Sequence, residues 1–187
     1  QIGGFMAVHS LWSSAWLMNV NGFSRQVAAN HYAWINIAMI IAYMLIGLLA
    51  TRLARRGLKP VVLFGMGIGM SILMLLLIIT QASDQHYLLW AFYGAFSSFG
   101  TLSYSITASG FAVSLAGRVN TLINLMAFIG AFIIQWGIGL IITRFETHGY
   151  GTDIAHRHAF TVLLVIQALA YGWFLLEGRH AAKKKTS

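Results

Sequence analysis

The chain has 187 residues, 58% of them hydrophobic and 9% charged, and twelve lysines and arginines against four acids give a net charge of +8. A soluble domain carries roughly 25% charged residues, so this composition excludes a water-soluble globular protein. The cations stand at the ends of apolar runs and not on one solvated face, which argues for orientation in a membrane with membrane lipids as neighbours, and against nucleic acid as a partner.

A bilayer core about 30 Å thick needs roughly 20 apolar residues in helical form. Six segments meet that requirement: residues 3–20, 28–51, 61–82, 87–114, 119–143 and 159–176, none with an Asp, Glu, Lys or Arg. Barrel strands would alternate in polarity over about 10 residues, and these runs do not. The expected fold is therefore all-α, a single six-transmembrane-helix domain over residues 1–187 with a basic tail at 177–187. The first residue, Gln1, opens into an apolar run with neither an initiator methionine nor the basic region and cleavage site of a signal peptide, so a piece of a longer protein is the expectation. The absence of cysteine excludes disulfides and thiolate sites.

The connections carry stop and start signals. Asn21-Gly22-Phe23-Ser24 breaks the chain after the first span, Gly57 and Pro60 bracket the second turn, and Ser83-Asp84 ends the third span. Only the fifth loop, residues 144–158, reads as long. An even number of spans puts both termini on one side. The run from Gly47 to Pro60 holds Arg52, Arg55, Arg56 and Lys59, and placing it in the cytoplasm puts these four with Arg118, Arg179, Lys183, Lys184 and Lys185 inside. Only Arg25, Arg144 and Arg157 of the twelve cations then lie outside, the asymmetry that the positive-inside rule describes. Trp34, Tyr87 and Trp90 fall near outer span ends and Trp173 near an inner one, as an interfacial aromatic belt would have them.

The segment Gly47-x-x-x-Thr51-Arg52-x-Ala54-Arg55-Arg56 resembles the loop motif Gly-x-x-x-Asp-Arg-x-Gly-Arg-Arg of the major facilitator superfamily, in its second copy between the eighth and ninth helices. Thr51 stands for the acid and Ala54 for the glycine. The span count, the cytoplasmic termini and the position of the loop also resemble the carboxy-terminal half of such a transporter. The resemblance implies half of a twelve-helix fold, a gating role on the cytoplasmic side for Gly47, Arg52, Arg55 and Arg56, and a setting in a bacterial inner (plasma) membrane.

Polar side chains inside the bilayer mark faces turned to a partner or to a water-filled path. At about 100° per residue, His9, Trp12, Ser13, Trp16 and Asn19 fall on one face of the first span. The fourth span places Gly94, Ser97, Ser98, Thr101 and Ser105 on a small-residue face suited to close helix packing, flanked by Tyr93 and Tyr104, the latter a candidate to reach a ligand. The fifth aligns Asn120, Asn124 and Gln135; Asn120 lies near the Gly117-Arg118 turn and reads as a cap, Asn124 and Gln135 as pathway groups. The proposed solute path is thus His9, Trp12, Ser13, Trp16, Asn19, Tyr104, Asn124 and Gln135.

Gly65, Gly67 and Gly69 read as a packing face, since their spacing is not that of a phosphate loop. His148, His156 and His158 share the fifth loop, and spacing alone gives little support for a metal. Ala108-Ser109-Gly110 lacks the leading glycine of an intramembrane serine protease, so no enzyme activity, catalytic residue or cofactor is expected. The expected function is one wall of a secondary transporter for a small-molecule substrate, completed by a missing N-terminal half or by a second copy of the chain as a homodimer, with alternating access by rocking of the halves. With no carboxylate in any span, His9 is the intramembrane group able to carry a proton. The alternative is a non-transporting assembly or regulatory subunit.

Overall fold

A computed structural model describes residues 1–81 and 85–183, without the side chains of residues 179–183. The expected stop at Ser83-Asp84, the tail lysines Lys184 and Lys185, and the side chains of Arg179 and Lys183 lie outside the described residues. Within the described residues all regular structure is helical.

The chain opens with α1 (Ile2–Ala7), a π-helical turn (Val8–Trp12) and α2 (Ser13–Asn19), which follow one another without a break. Next come α3 (Arg25–Arg55), α4 (Pro60–Thr80) and α5 (His86–Ser97), then a 3-10 segment (Ser98–Thr101) leading into α6 (Leu102–Ala108). A short 3-10 turn (Val113–Leu115) precedes α7 (Ala116–Thr147), and α8 (Thr152–Lys183) closes the fold. Four helical stretches, Arg25–Arg55, Pro60–Thr80, Val113–Thr147 and Thr152–Gly178, are long and apolar enough to cross a membrane. The chain is an integral membrane protein.

Local chemistry explains the boundaries. Ser24 is extended and its hydroxyl accepts from the Val27 amide at 3.4 Å, capping α3. Gly57, at φ +83°, ends the same helix in a Schellman arrangement, with the Leu58 amide donating to the Leu53 carbonyl and the Gly57 amide to Ala54. Pro60 then starts α4 where its missing N–H costs nothing. The guanidinium of Arg157 donates to the Ile79 carbonyl at 3.0 Å, supplying both a donor and a cation at the C-terminal end of α4.

Two boundaries differ from expectation. Gly149, at φ +83°, repeats the Schellman arrangement after α7, and α8 begins at Thr152, so the expected long loop 144–158 shrinks to residues 148–151. Arg144, Glu146 and Asp153 belong to exposed helix ends, not to loop. The fourth expected span, 87–114, stops at Ala108, because the chain turns at Ser109 and Gly110.

The core is built from Trp16 and Leu17 of α2, Ile35 of α3, Leu75 and Ile78 of α4, Trp90 and Tyr93 of α5, and Phe160 and Leu163 of α8. Trp90, expected in the interfacial belt, is instead 1% exposed and meets Tyr93 edge-on at 5.9 Å. Trp34, Tyr87 and Trp173 are exposed. The glycine face of α4 packs as its spacing predicts: Gly67 abuts Phe99, Gly69 the Tyr171 ring and Gly65 the Phe174 ring. Opposite this core, Ile40, Met44 and Leu48 of α3, Phe128, Phe132 and Trp136 of α7, and Leu169 and Trp173 of α8 remain exposed. A surface this apolar belongs in lipid or against another apolar surface.

Candidate functional site

The residues expected on one face of the first span are divided by the π turn. An i→i+5 turn advances each residue by a smaller angle than an α turn, so the positions before and after it do not share the phase that an ideal wheel assigns. His9 faces α3: its Nδ1 lies 3.4 Å from the Tyr32 hydroxyl, and its ring stands between Tyr32 at 4.9 Å and Phe5 at 5.4 Å. Its Nε2 is buried with no hydrogen-bond partner at bonding geometry. The Ser13 hydroxyl turns back to the His9 carbonyl at 3.2 Å.

From the last residue of the π turn onward the contacts pass to α7 and α8. The Trp12 indole donates to the Gln135 carbonyl at 3.2 Å and packs on Gly139. Trp16 is buried, its ring 4.5 Å from Phe160. Asn19 pairs with His156 at 3.2 Å, and the same imidazole meets Trp12 edge-on at 6.1 Å. Trp12, Trp16, Asn19, His156 and Phe160 therefore form one continuous run along α8, whereas His9 belongs to a separate group with Tyr32.

The third group lies between α6 and α7, where the Tyr104 hydroxyl donates to Asn124 Oδ1. The amides of α7 do not converge. Asn124 is engaged by Tyr104, Gln135 meets Trp12 through its backbone, and Asn120 has a buried Oδ1 without a partner. Asn120 does not act as a cap: Leu115 occupies the N-cap of α7, and the helix carries no side-chain cap bond. The expected loop 52–59 is shorter than its charge pattern suggests: Gly47, Thr51, Arg52 and Arg55 lie within α3, and only residues 56–59 connect it to α4. Arg52, Arg55 and Arg56 are exposed, Gly47 has no atom near its would-be Cβ, and the Thr51 hydroxyl donates to the Gly47 carbonyl at 3.0 Å.

Two grooves are large enough for a ligand. One, of about 620 Å³, runs between α4, α6, α7 and α8 beside the start of α1. The other, of about 560 Å³, lies between α3 and α5 and includes Asn30, His31, Trp34 and Tyr87. Neither is lined by His9, Trp12, Ser13, Trp16, Asn19, Tyr104, Asn124 or Gln135. Among the described residues no group of His, Asp and Glu converges as a metal site, and His148, His156 and His158 each donate to, or accept at, separate partners.

A buried polar group joins α4, α5 and α8; sequence reasoning singled out Tyr93 and Ser97 but passed over Ser71 and Gln167. Ser71, Ser97 and Gln167 are each more than nine-tenths buried, beside Tyr93. Gln167 sits midway along α8 in an otherwise apolar run, and that isolation was the available signal. Comparison with protein-family models, curated proteins and solved structures finds no match. The functional reading therefore rests on the chain's own chemistry.

Proposed function

We propose that the chain forms one six-helix wall of a secondary transporter of the major facilitator type, moving a small solute by alternating access against a second half. The observation that carries this reading is where helical regularity fails. The π turn Val8–Trp12 and the 3-10 segment Ser98–Thr101 interrupt the two helical stretches that hold His9, Trp12, Ser98 and Thr101, while the four regular stretches are long and apolar. Transporters built from repeats bind solutes near the midplane at interrupted helices, where freed backbone and polar side chains meet the ligand. The absence of an acid in any of the expected spans leaves histidine as this wall's protonatable side chain, His9 in the first span and His31 near the start of α3; His9 Nε2, without a partner at bonding geometry, is a position for a proton or a solute acceptor with Asn36 close by. Of the expected pathway residues, Asn19 and Asn124 are exposed and His9, Trp12, Tyr104 and Gln135 half-buried, so these six are available to a partner half, whereas Ser13 and Trp16 are buried within this chain and do not line the path. The basic stretch 52–59, the last turn of α3 and its connection to α4, orients this wall with both termini in the cytoplasm.

Residues 1–187 hold no cysteine, so single cysteines can be introduced here once any elsewhere in the reading frame are replaced. Single substitutions Asn19→Cys and Asn124→Cys, placed at opposite ends of the proposed path, are labelled with a membrane-impermeant maleimide in right-side-out and inverted vesicles from cells expressing the full native reading frame. Alternating access predicts that Asn19→Cys labels from outside and Asn124→Cys from inside, and that cross-linking one end shut raises labelling at the other. Labelling that never responds, or protection of both sites throughout, refutes the transport reading in favour of a packed, non-transporting subunit.

A further inference from the structure

Where α5 passes into the 3-10 segment, the fold encloses a cavity of about 10 Å³ lined by Gln1, Ser71, Tyr93, Ser97, Gly100 and Gln167, with apolar neighbours completing the wall. Four of these side chains are almost wholly shielded: Tyr93 is 2% exposed, Ser71 3%, Gln167 5% and Ser97 7%. The Tyr93 hydroxyl borders the cavity near the Ser97 and Gln167 side chains, with neither of them at bonding geometry. A phenol buried in that condition is less stable than a satisfied one, and phenylalanine would fill the same volume without an unmet donor. The Ser71 hydroxyl already donates to the Ile68 carbonyl at 2.8 Å, so its oxygen has lone pairs left to accept.

We propose that this cavity is a hydration site holding one ordered water, which accepts from the Tyr93 hydroxyl and donates to the Ser71 oxygen and to an oxygen of Ser97 or Gln167. A buried water needs roughly 10–15 Å³ and two to four polar partners, while cavities that stay dry are apolar. The volume admits one water and no larger solute. No acidic side chain lines the cavity, so nothing there compensates the charge of a desolvated cation. The water links α4, α5 and α8 at the residue where α-geometry gives way to 3-10, and it supplies the hydrogen bonds that the joint itself does not. This site is independent of the transport reading.

The test uses the full chain in detergent micelles. Tyr93→Phe keeps the packing but removes the donor, and a lone water left with one partner fewer is expected to lower the thermal midpoint by about 3 °C. In the unsubstituted protein the Tyr93 hydroxyl proton is expected to show cross-relaxation with a bound water by NMR, a reading that stands even where the variant fails to fold. A Tyr93→Phe protein as stable as its parent, or a hydroxyl proton with no water cross-peak, overturns the proposal. Equal midpoints in sodium and potassium chloride are expected; a rise specific to one cation overturns it in favour of an ion site.

Discussion

A backbone-to-backbone approach between two helices gives a sharp test of the packing. Gly3 of α1 lies against the backbone of α7, and a Cβ built there would stand 2.7 Å from the Ala131 nitrogen and 2.8 Å from the Ala127 carbonyl oxygen. These are main-chain atoms within a long helix, so no rotamer change can move them aside. Reaching ordinary contact at 3.4 Å means parting the helices by 3.4 − 2.7, or 0.7 Å, and thereby loosening Gly4, Ala7, Ala127 and Ala131, all buried. Overpacking of this kind costs about 1–3 kcal/mol, against a helix-propensity gain for Gly→Ala of at most about 1 kcal/mol. Gly3→Ala should therefore lose about 1 kcal/mol net and about 3 °C in thermal midpoint. Gly47→Ala is the matched control, since nothing lies within 4 Å of its Cβ position and it sits inside α3; it should keep the propensity gain and raise the midpoint. Intrinsic tryptophan fluorescence during heating in detergent reads both variants. Gly3→Ala as stable as Gly47→Ala would refute the close approach of α1 to α7.

Three further outcomes follow from side-chain placement. Trp16→Ala should destabilise the chain by about 3–5 kcal/mol, because Trp16 is 1% exposed against Phe160, whereas Trp136→Ala at 62% exposure should be nearly silent in the same melting assay. A double-mutant cycle of Tyr104→Phe and Asn124→Ala should return a coupling of about 1 kcal/mol between α6 and α7, and additive losses would dissolve that contact. Gly57→Ala should cost about 1–2 kcal/mol by forcing a Cβ into left-handed backbone at φ +83°, and Gly57→Asn should recover part of the loss, both measured by chemical denaturation.

The helices were legible where one residue decides a boundary. Ser24, Gly57 and Pro60 mark the ends of α3 and the start of α4 as their chemistry dictates. The ends of α7 and α8 were misread because Arg144, Glu146 and Asp153 look like loop, although a helix that outruns the bilayer carries charge freely on its wet turns; Gly149 held the signal for the true stop. The site was less legible. A wheel at constant angle joins His9 to Trp12, Trp16 and Asn19, and only the π turn, set by packing against α3 on one side and α7 and α8 on the other, separates them. Trp90 reads as an interfacial aromatic by position alone, yet Tyr93 and its neighbours draw it inward.

The same placement bears on the cations that depart from the charge asymmetry. Arg25, Arg144 and Arg157 stand at the end of the molecule opposite the loop 52–59. Arg157 reaches the Ile79 carbonyl at the close of α4, and Arg144 occupies the last turn of α7, where its own carbonyl accepts from His148 Nδ1 at 2.7 Å. Both positions meet the negative end of a helix dipole, a setting worth about 0.3–1 kcal/mol to a cation. Helix-end electrostatics thus account for two of the three, and Arg25, at the first residue of α3, has no such compensation. Arg52 and Arg55 stand in the last turn of α3 in the same way, so helix-end electrostatics acts at both ends of the molecule and the charge argument for the proposed orientation rests on the count: four cations, Arg52, Arg55, Arg56 and Lys59, gather within residues 52–59, with Arg52, Arg55 and Arg56 exposed, against three at the opposite end.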